Sequence, residues 1–203
     1  MKIIFCVPGR NFSNNFLVSW TKLLKYCNEN GIQAELSNGY APIVHLARYI
    51  CLRIDPQSDC DHCLNPFSPE IEYDYIMWID SDMVFEPYHL QKLIDADKQV
   101  ITGLYKVDKT NEFACCEKGS KYRINEDYLK NNKGVIEASF AGLGFMLIKK
   151  GVFESMEFPY FTLQNNTECI SETISFCDNL KTHNIKIHAN LNVVVGHEKT
   201  IIF

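Results

Sequence analysis

The 203-residue sequence has no Lys/Arg-rich run, and its acids outnumber its bases, 25 to 20, for a net charge of -5. Nucleic-acid and membrane-surface proteins carry a basic patch, so this balance argues against both. An anionic ligand would have to be held by a few local cations. Also missing is any apolar window that approaches a membrane span, and the Lys2–Val7 run stops at Pro8, too short for the apolar core of a signal peptide. A soluble, unexported, cytoplasmic chain is the expectation. Internal repeats and low-complexity segments are absent, and the length fits one domain with a full core. The nine cysteines are odd in number and scattered, as free thiols in a reducing compartment would be. Cys60 and Cys63 form one C-x-x-C with His62 between them, but a second half for a zinc site is lacking, because Cys115 and Cys116 are adjacent and make poor partners. Incidental thiols in a loop are expected there.

What is present centres on Tyr75-Ile76-Met77-Trp78-Ile79-Asp80-Ser81-Asp82. Five large apolar residues in succession read as a strand buried on both faces, and the two acids fall at its carboxyl end. Ligands of open α/β sheets collect outside those ends. Side chains at i and i+2 of an extended segment point the same way, so Asp80 and Asp82 are expected to aim at one ligand while Ser81 turns aside. Carboxylates that close repel each other unless a cation or a bank of donors lies between them. Hard oxygen ligands, few in number, suit Mg²⁺ or Mn²⁺ bound to a nucleotide diphosphate. The same pattern also fits a strand end with two solvated acids.

Around this stretch, strands and helices alternate. Lys2–Val7 is a strand closed by Pro8-Gly9; Phe16, Leu17, Trp20, Leu23, Leu24 and Cys27 recur at helical spacing and stop at Gly31. Ile32–Leu36 reads as a strand, and Pro42 opens a helix whose apolar stripe includes Ile43, Val44, Ala47, Ile50 and Cys51, with Arg48 off the stripe. Asp55–Glu72 is a long loop, of the kind that is more often functional than idle. Pro87 opens a third helix and Val100–Leu104 returns as a strand. Residues 105–134 are charged and turn-rich, with short strands near Phe113–Cys116 and Tyr122–Ile124. Val135–Phe140 and Phe145–Ile148 flank Gly142-Leu143-Gly144, Ser171 caps a helix through Lys181, and Ile185–Ile187 and Val193–Val195 are two late strands before Gly196-His197. The alternation predicts an α/β fold with a mostly parallel central sheet, helices on both faces and a small antiparallel element in the second half.

This ordered set resembles the GT-A class of nucleotide-sugar-dependent glycosyltransferases, particularly its small single-domain viral and bacterial type. The resemblance runs through Val7-Pro8-Gly9-Arg10, Leu46-Ala47-Arg48, Trp78-Ile79-Asp80-Ser81-Asp82, Ile101-Thr102-Gly103-Leu104-Tyr105, Gly142-Leu143-Gly144-Phe145, Phe158-Pro159-Tyr160-Phe161, Ser171-Glu172-Thr173 and Val195-Gly196-His197. It implies one domain, 1–203, with a nucleotide-binding half over 1–104 and an acceptor-binding half over 105–203. It further implies that Pro8, Arg10, Arg48, Asp80, Ser81 and Asp82 bind the nucleotide, and that Asp80, Asp82 and His197 hold Mn²⁺ or Mg²⁺. Gly142, Leu143, Gly144, Tyr160 and Glu172 would face the acceptor, with Phe161 a further ring for sugar stacking.

One departure stands out. The family pattern in the late helix carries Glu-Asp, whereas this chain has Glu172-Thr173, and a threonine hydroxyl does not take a proton near neutral pH. Asp178, six residues on, is turned about 240° around a helix from Glu172 and cannot face the same site. Glu172 is left as the candidate base, unless the enzyme is retaining or turns over poorly. The implied activity is metal-dependent transfer of a sugar from a nucleotide diphosphate, with a UDP-sugar the expected donor, to a hydroxyl acceptor. Two alternatives stay open: a sugar nucleotidyltransferase, for which Pro8-Gly9-Arg10-Asn11 is a poor triphosphate loop, and a catalytically weak nucleotide-sugar-binding protein.

Overall fold

The computed structural model describes residues 1–59, 61–67, 71–107, 110–165, 168–169 and 171–199. In chain order the elements are β1 (Lys2–Pro8), α1 (Asn14–Glu29), β2 (Gln33–Gly39), α2 (Val44–Leu52), β3 (Tyr75–Ile79), β4 (Met83–Val84), α3 (Pro87–Asp95) and β5 (Val100–Leu104). They continue with β6 (Glu112–Glu117), β7 (Arg123–Asn125), α4 (Glu126–Asn131), β8 (Val135–Ala141), β9 (Phe145–Lys149), β10 (Gln164–Asn165), β11 (Glu168–Cys169), α5 (Glu172–Thr182), β12 (Ile187–Val194) and β13 (Gly196–His197). Nine strands form one sheet in the order β2-β1-β3-β9-β5-β12-β8-β6-β7, while β10-β11 and β13-β4 are separate antiparallel pairs. β2, β1, β3, β5, β12 and β6 run one way; β9, β8 and β7 run against them. The expected mostly parallel α/β sheet, with helices on both faces and small antiparallel elements, is what forms.

Side-chain alternation sorts the core into two layers. Ile4, Cys6, Ile76, Trp78, Met146 and Ile148 face a cluster with Tyr49, Cys51 and Leu52 of α2 and Phe176, Cys177 and Leu180 of α5. Their neighbours Ile3, Phe5, Val7, Met77, Ile79, Phe145 and Leu147 face the other way, onto Phe16, Leu23 and Cys27 of α1 and Leu90 and Leu93 of α3. A side chain buried this way contributes roughly 1.5–3 kcal/mol over leaving it in water, and both faces of β3 collect that gain. This is why its run is continuously apolar rather than alternating.

Two expectations need correction. Ile185–Ile187 and Val193–Val195 are not two strands: Ile187, Ala189, Leu191 and Val193 are all buried on one continuous β12. Polar Asn190 and Asn192 disguise it, yet the Asn190 amide is satisfied by the Lys92 carbonyl (3.2 Å) and the Asn192 N–H (3.1 Å). Within the turn-rich stretch, Asn125 caps the short helix α4 by accepting from the Tyr128 N–H. In the sheet β9 lies between β3 and β5, and β12 pairs with β5. Among its described residues the long loop contributes one 3₁₀ turn, Asp61–Leu64, and buried Phe67.

Candidate functional site

β1 and β3 run parallel, so their carboxyl ends open side by side. The turn after β1 is drawn tight: the Gly9 N–H donates to the Gly39 carbonyl (2.8 Å), and Asn38 donates to the carbonyls of Val7 and Gly9. Gly9 has φ +143°, and a Cβ there would lie 2.4 Å from Ser81 Oγ, so only glycine lets the two strand ends approach. Between them opens a cavity of about 270 Å³ lined by Pro8, Gly9, Tyr40, Pro42, Ala47 and the three residues Asp80, Ser81 and Asp82. Arg10 lies over the Tyr40 ring, 4.9 Å from its centroid. A wider apolar groove of about 750 Å³ runs along α2 past His45, Tyr49, Phe158 and Phe161 and includes neither acid.

The two aspartates pair with different partners. β3 ends at Ile79, and the chain turns at once, with the Met83 N–H donating to the Asp80 carbonyl (3.1 Å). Past the strand end the i, i+2 rule no longer applies. Asp80 turns to Arg48, whose Nη1 lies 3.3 Å from its Oδ1. The Arg48 guanidinium also donates to Glu172 Oε1 from Nε (3.4 Å) and Nη2 (3.3 Å), and it lies 5.2 Å from the centre of the Trp78 ring. Arg48 is 2% exposed. Burial opposes its charge, but Asp80 and Glu172 outweigh burial and raise its pKa, so it stays a cation. Thr173 donates to the same Glu172 Oε1 (3.2 Å). Asp178 pairs with Lys181 on the exposed side of α5.

Asp82 meets the end of the chain instead. β13 pairs with β4 and sets His197 opposite Met83, so that His197 Nε2 lies 3.1 Å from Asp82 Oδ2 across 115 positions of sequence. His197 Nδ1 is 2.7 Å from the Lys106 carbonyl; a carbonyl only accepts, so Nδ1 carries hydrogen and Nε2 is the nitrogen turned to the acid. Lys199 donates to the same Asp82 oxygen (2.8 Å). Burial alone would raise the Asp82 carboxyl, but the bonds from His197 and Lys199 overcome it and hold the pKa at about 2. The bond to Asp82 in turn raises the His197 imidazole against the effect of its burial. Among the described residues no three His, Cys, Asp or Glu side chains stand together as a ready metal cluster. Of the three expected ligands, Asp82 and His197 meet, while Asp80 pairs with Arg48 on the wall of the same cavity.

Two acceptor-side expectations change as well. Tyr160 and Phe161 are each 2% exposed and packed in the aromatic cluster with Phe153, although Phe161 also borders the groove along α2. Leu143 is fully buried, while Gly142 and Gly144 make room for a side chain of this chain: a Cβ on Gly142 would lie 2.1 Å from the Tyr105 hydroxyl, and one on Gly144 2.9 Å from its ring. Tyr105, Tyr40 and Lys199 are the site residues that sequence reasoning passed over. Tyr105 carried a usable signal, since it directly follows β5 and so sits at the same carboxyl edge as the acids. Cys60 of the C-x-x-C lies outside the described residues; Cys115 is buried beside half-buried Cys116, as adjacent strand residues facing opposite sides must be.

The sheet order, the acids at the carboxyl end of β3 and the small antiparallel pairs define a glycosyltransferase-like fold of the GT-A type. Among solved structures the chain is similar to A197 from STIV, at TM-score 0.64 and 19% identity over 98% of this chain and 87% of that one. It is also similar to the catalytic domain of Drosophila beta1,4galactosyltransferase 7 in complex with xylobiose, at TM-score 0.52 and 12% identity over 98% and 71%. A third neighbour is GalNAc-T7 with UDP, GalNAc and Mn²⁺, at TM-score 0.59 and 10% identity, where 98% of this chain matches 44% of that one. At such identities the likeness is one of fold. No family model and no curated protein matches the sequence.

Proposed function

We propose that this chain is a metal-dependent glycosyltransferase that moves a sugar from a nucleotide diphosphate donor, a UDP-sugar, to a hydroxyl acceptor. The observation that carries the reading is the meeting of Asp82 and His197 beside the cavity at the end of β3. By chemistry the donors would suit a small divalent cation: a carboxylate oxygen of Asp82 and an imidazole nitrogen of His197 lie side by side, and Lys199 on the same Asp82 oxygen is the contact an ion would displace. The Lys106 carbonyl fixes the hydrogen on Nδ1, so Nε2, which pairs with Asp82, is the nitrogen that would ligate the ion once it gives up its own proton. GalNAc-T7, similar in fold, is described with UDP, GalNAc and Mn²⁺. When bound, the ion supplies positive charge against the diphosphate leaving group.

The remaining roles follow from position. Tyr40, Pro8 and Gly9 wall the side of the cavity that would take the base, and Arg10 stands over Tyr40. Asp80, held by Arg48, would serve the ribose side of a bound donor rather than ligate the ion directly. Arg48 holds Glu172 through Oε1, which already takes three donors, so Oε2 is the oxygen left to accept a proton from an acceptor hydroxyl. A carboxylate clamped this firmly favours slow turnover, and donor hydrolysis with Mn²⁺ distinguishes a slow enzyme from a binding protein. The test of the metal site is Asp82→Ala. The fold should persist by circular dichroism while the Mn²⁺-dependent part of UDP binding disappears; an unchanged metal response in this variant defeats the assignment.

A further inference from the structure

Tyr105 touches a partner of each acid, His197 for Asp82 and Gly144 for Asp80. Its ring is edge-on to the His197 imidazole, with centroids 5.3 Å apart and planes at 76°. The next residue, Lys106, supplies the carbonyl that fixes His197 Nδ1. One short segment therefore holds the imidazole from two sides. The Tyr105 hydroxyl accepts from the Gly144 N–H (3.2 Å), and the carbonyl of that same glycine accepts from the Asp80 N–H (2.9 Å). Thus the ring leads to His197 and Asp82, and the hydroxyl leads through the backbone of one residue, Gly144, to Asp80. The corner Gly142-Leu143-Gly144 is shaped to receive this side chain, since a Cβ on either glycine would strike it.

We propose that Tyr105 is a positioning residue with two separable parts: its ring sets the His197 imidazole for the cation, and its hydroxyl sets the Gly144 backbone and with it Asp80. The inference rests on the metal-site reading above. Burial, with Asp80 nearby, pushes the hydroxyl above its usual range, so it remains a neutral O–H throughout the working pH range.

The test compares Tyr105→Phe with Tyr105→Leu in the full chain, using Mn²⁺ alone and then Mn²⁺ with UDP. Pulsed EPR of bound Mn²⁺ reads the imidazole directly, through modulation by a coordinated ¹⁴N. Tyr105→Phe keeps the ring and should bind Mn²⁺ with wild-type affinity and full nitrogen modulation, but bind UDP more weakly at saturating Mn²⁺. Tyr105→Leu should lose on the order of tenfold in Mn²⁺ affinity, the scale of a lost outer-shell partner, together with the nitrogen modulation. A folded Tyr105→Leu protein with unchanged Mn²⁺ affinity and modulation overturns the proposal, as does a Tyr105→Phe protein that loses both. If the wild-type protein itself shows no nitrogen modulation, the assignment of His197 as a ligand has failed, and the inference falls with it; the two failures are thereby told apart.

Discussion

Arg48 illustrates how little of a residue's role lies in its own identity. By helical spacing it leaves the apolar stripe and reads equally well as a solvated charge, yet it is 2% exposed and serves two carboxylates. Removing one partner of a buried ion pair leaves an uncompensated charge, which costs more than the pair contributed. Arg48→Met is therefore expected to lower stability by about 3 kcal/mol, near the foot of the usual range because Asp80 keeps some solvent. Urea unfolding measures this, and adding Glu172→Gln should recover part of the loss by neutralising the more deeply buried acid. A variant as stable as the wild-type protein would show that water, not Arg48, solvates Glu172. Tyr105 belongs to the same scale: the glycines that sequence reading assigns to the acceptor are spaced by the ring they admit.

At the scale of elements, α3 carries a cap with a pH dependence of its own. Pro87 opens the helix, the Glu86 side chain accepts from the His89 N–H, and His89 Nδ1 accepts from the Glu86 N–H (3.0 Å). The acceptor nitrogen must be unprotonated. Burial first, and Lys92 second, push the His89 pKa from 6.5 to about 4. Above pH 6.5 the imidazole is neutral in both folded and unfolded chains, and the cap contributes in full. Between 6.5 and 4 the unfolded chain binds a proton that the folded chain does not, so stability falls as pH falls through that window. His89→Gln supplies a capping-box acceptor that does not titrate. The melting temperature of the wild-type protein should drop relative to this variant between pH 6.5 and 4; parallel profiles would remove His89 as the cause. The same scale explains β12, where buried residues alternate with asparagines that find partners only after folding.

For the whole molecule, binding and stability are linked, because a ligand that prefers the folded state raises its melting temperature. A panel of UDP-, GDP-, CMP- and dTDP-sugars, each with and without Mn²⁺, should give its largest shift with a UDP-sugar and Mn²⁺ together, worth about 2.7 kcal/mol at a hundredfold excess over Kd. A shift from any of the nucleotides that ignores Mn²⁺ contradicts the proposed site. No helix among the described residues is long and apolar enough to cross a membrane. The alternation of strands and helices, the doubly buried β3 and the placing of two acids at its carboxyl end were legible in the sequence, because burial leaves a local period in the chain. What the sequence could not decide was which acid meets which cation. Glu172 reaches Arg48 across 124 positions and Asp82 reaches His197 across 115. Those meetings depend on the turn that ends β3, on the register of β13 against β4, and on α2 and α5 sharing one face of the sheet. Such contacts leave no periodic trace, since they are fixed only when distant elements pack.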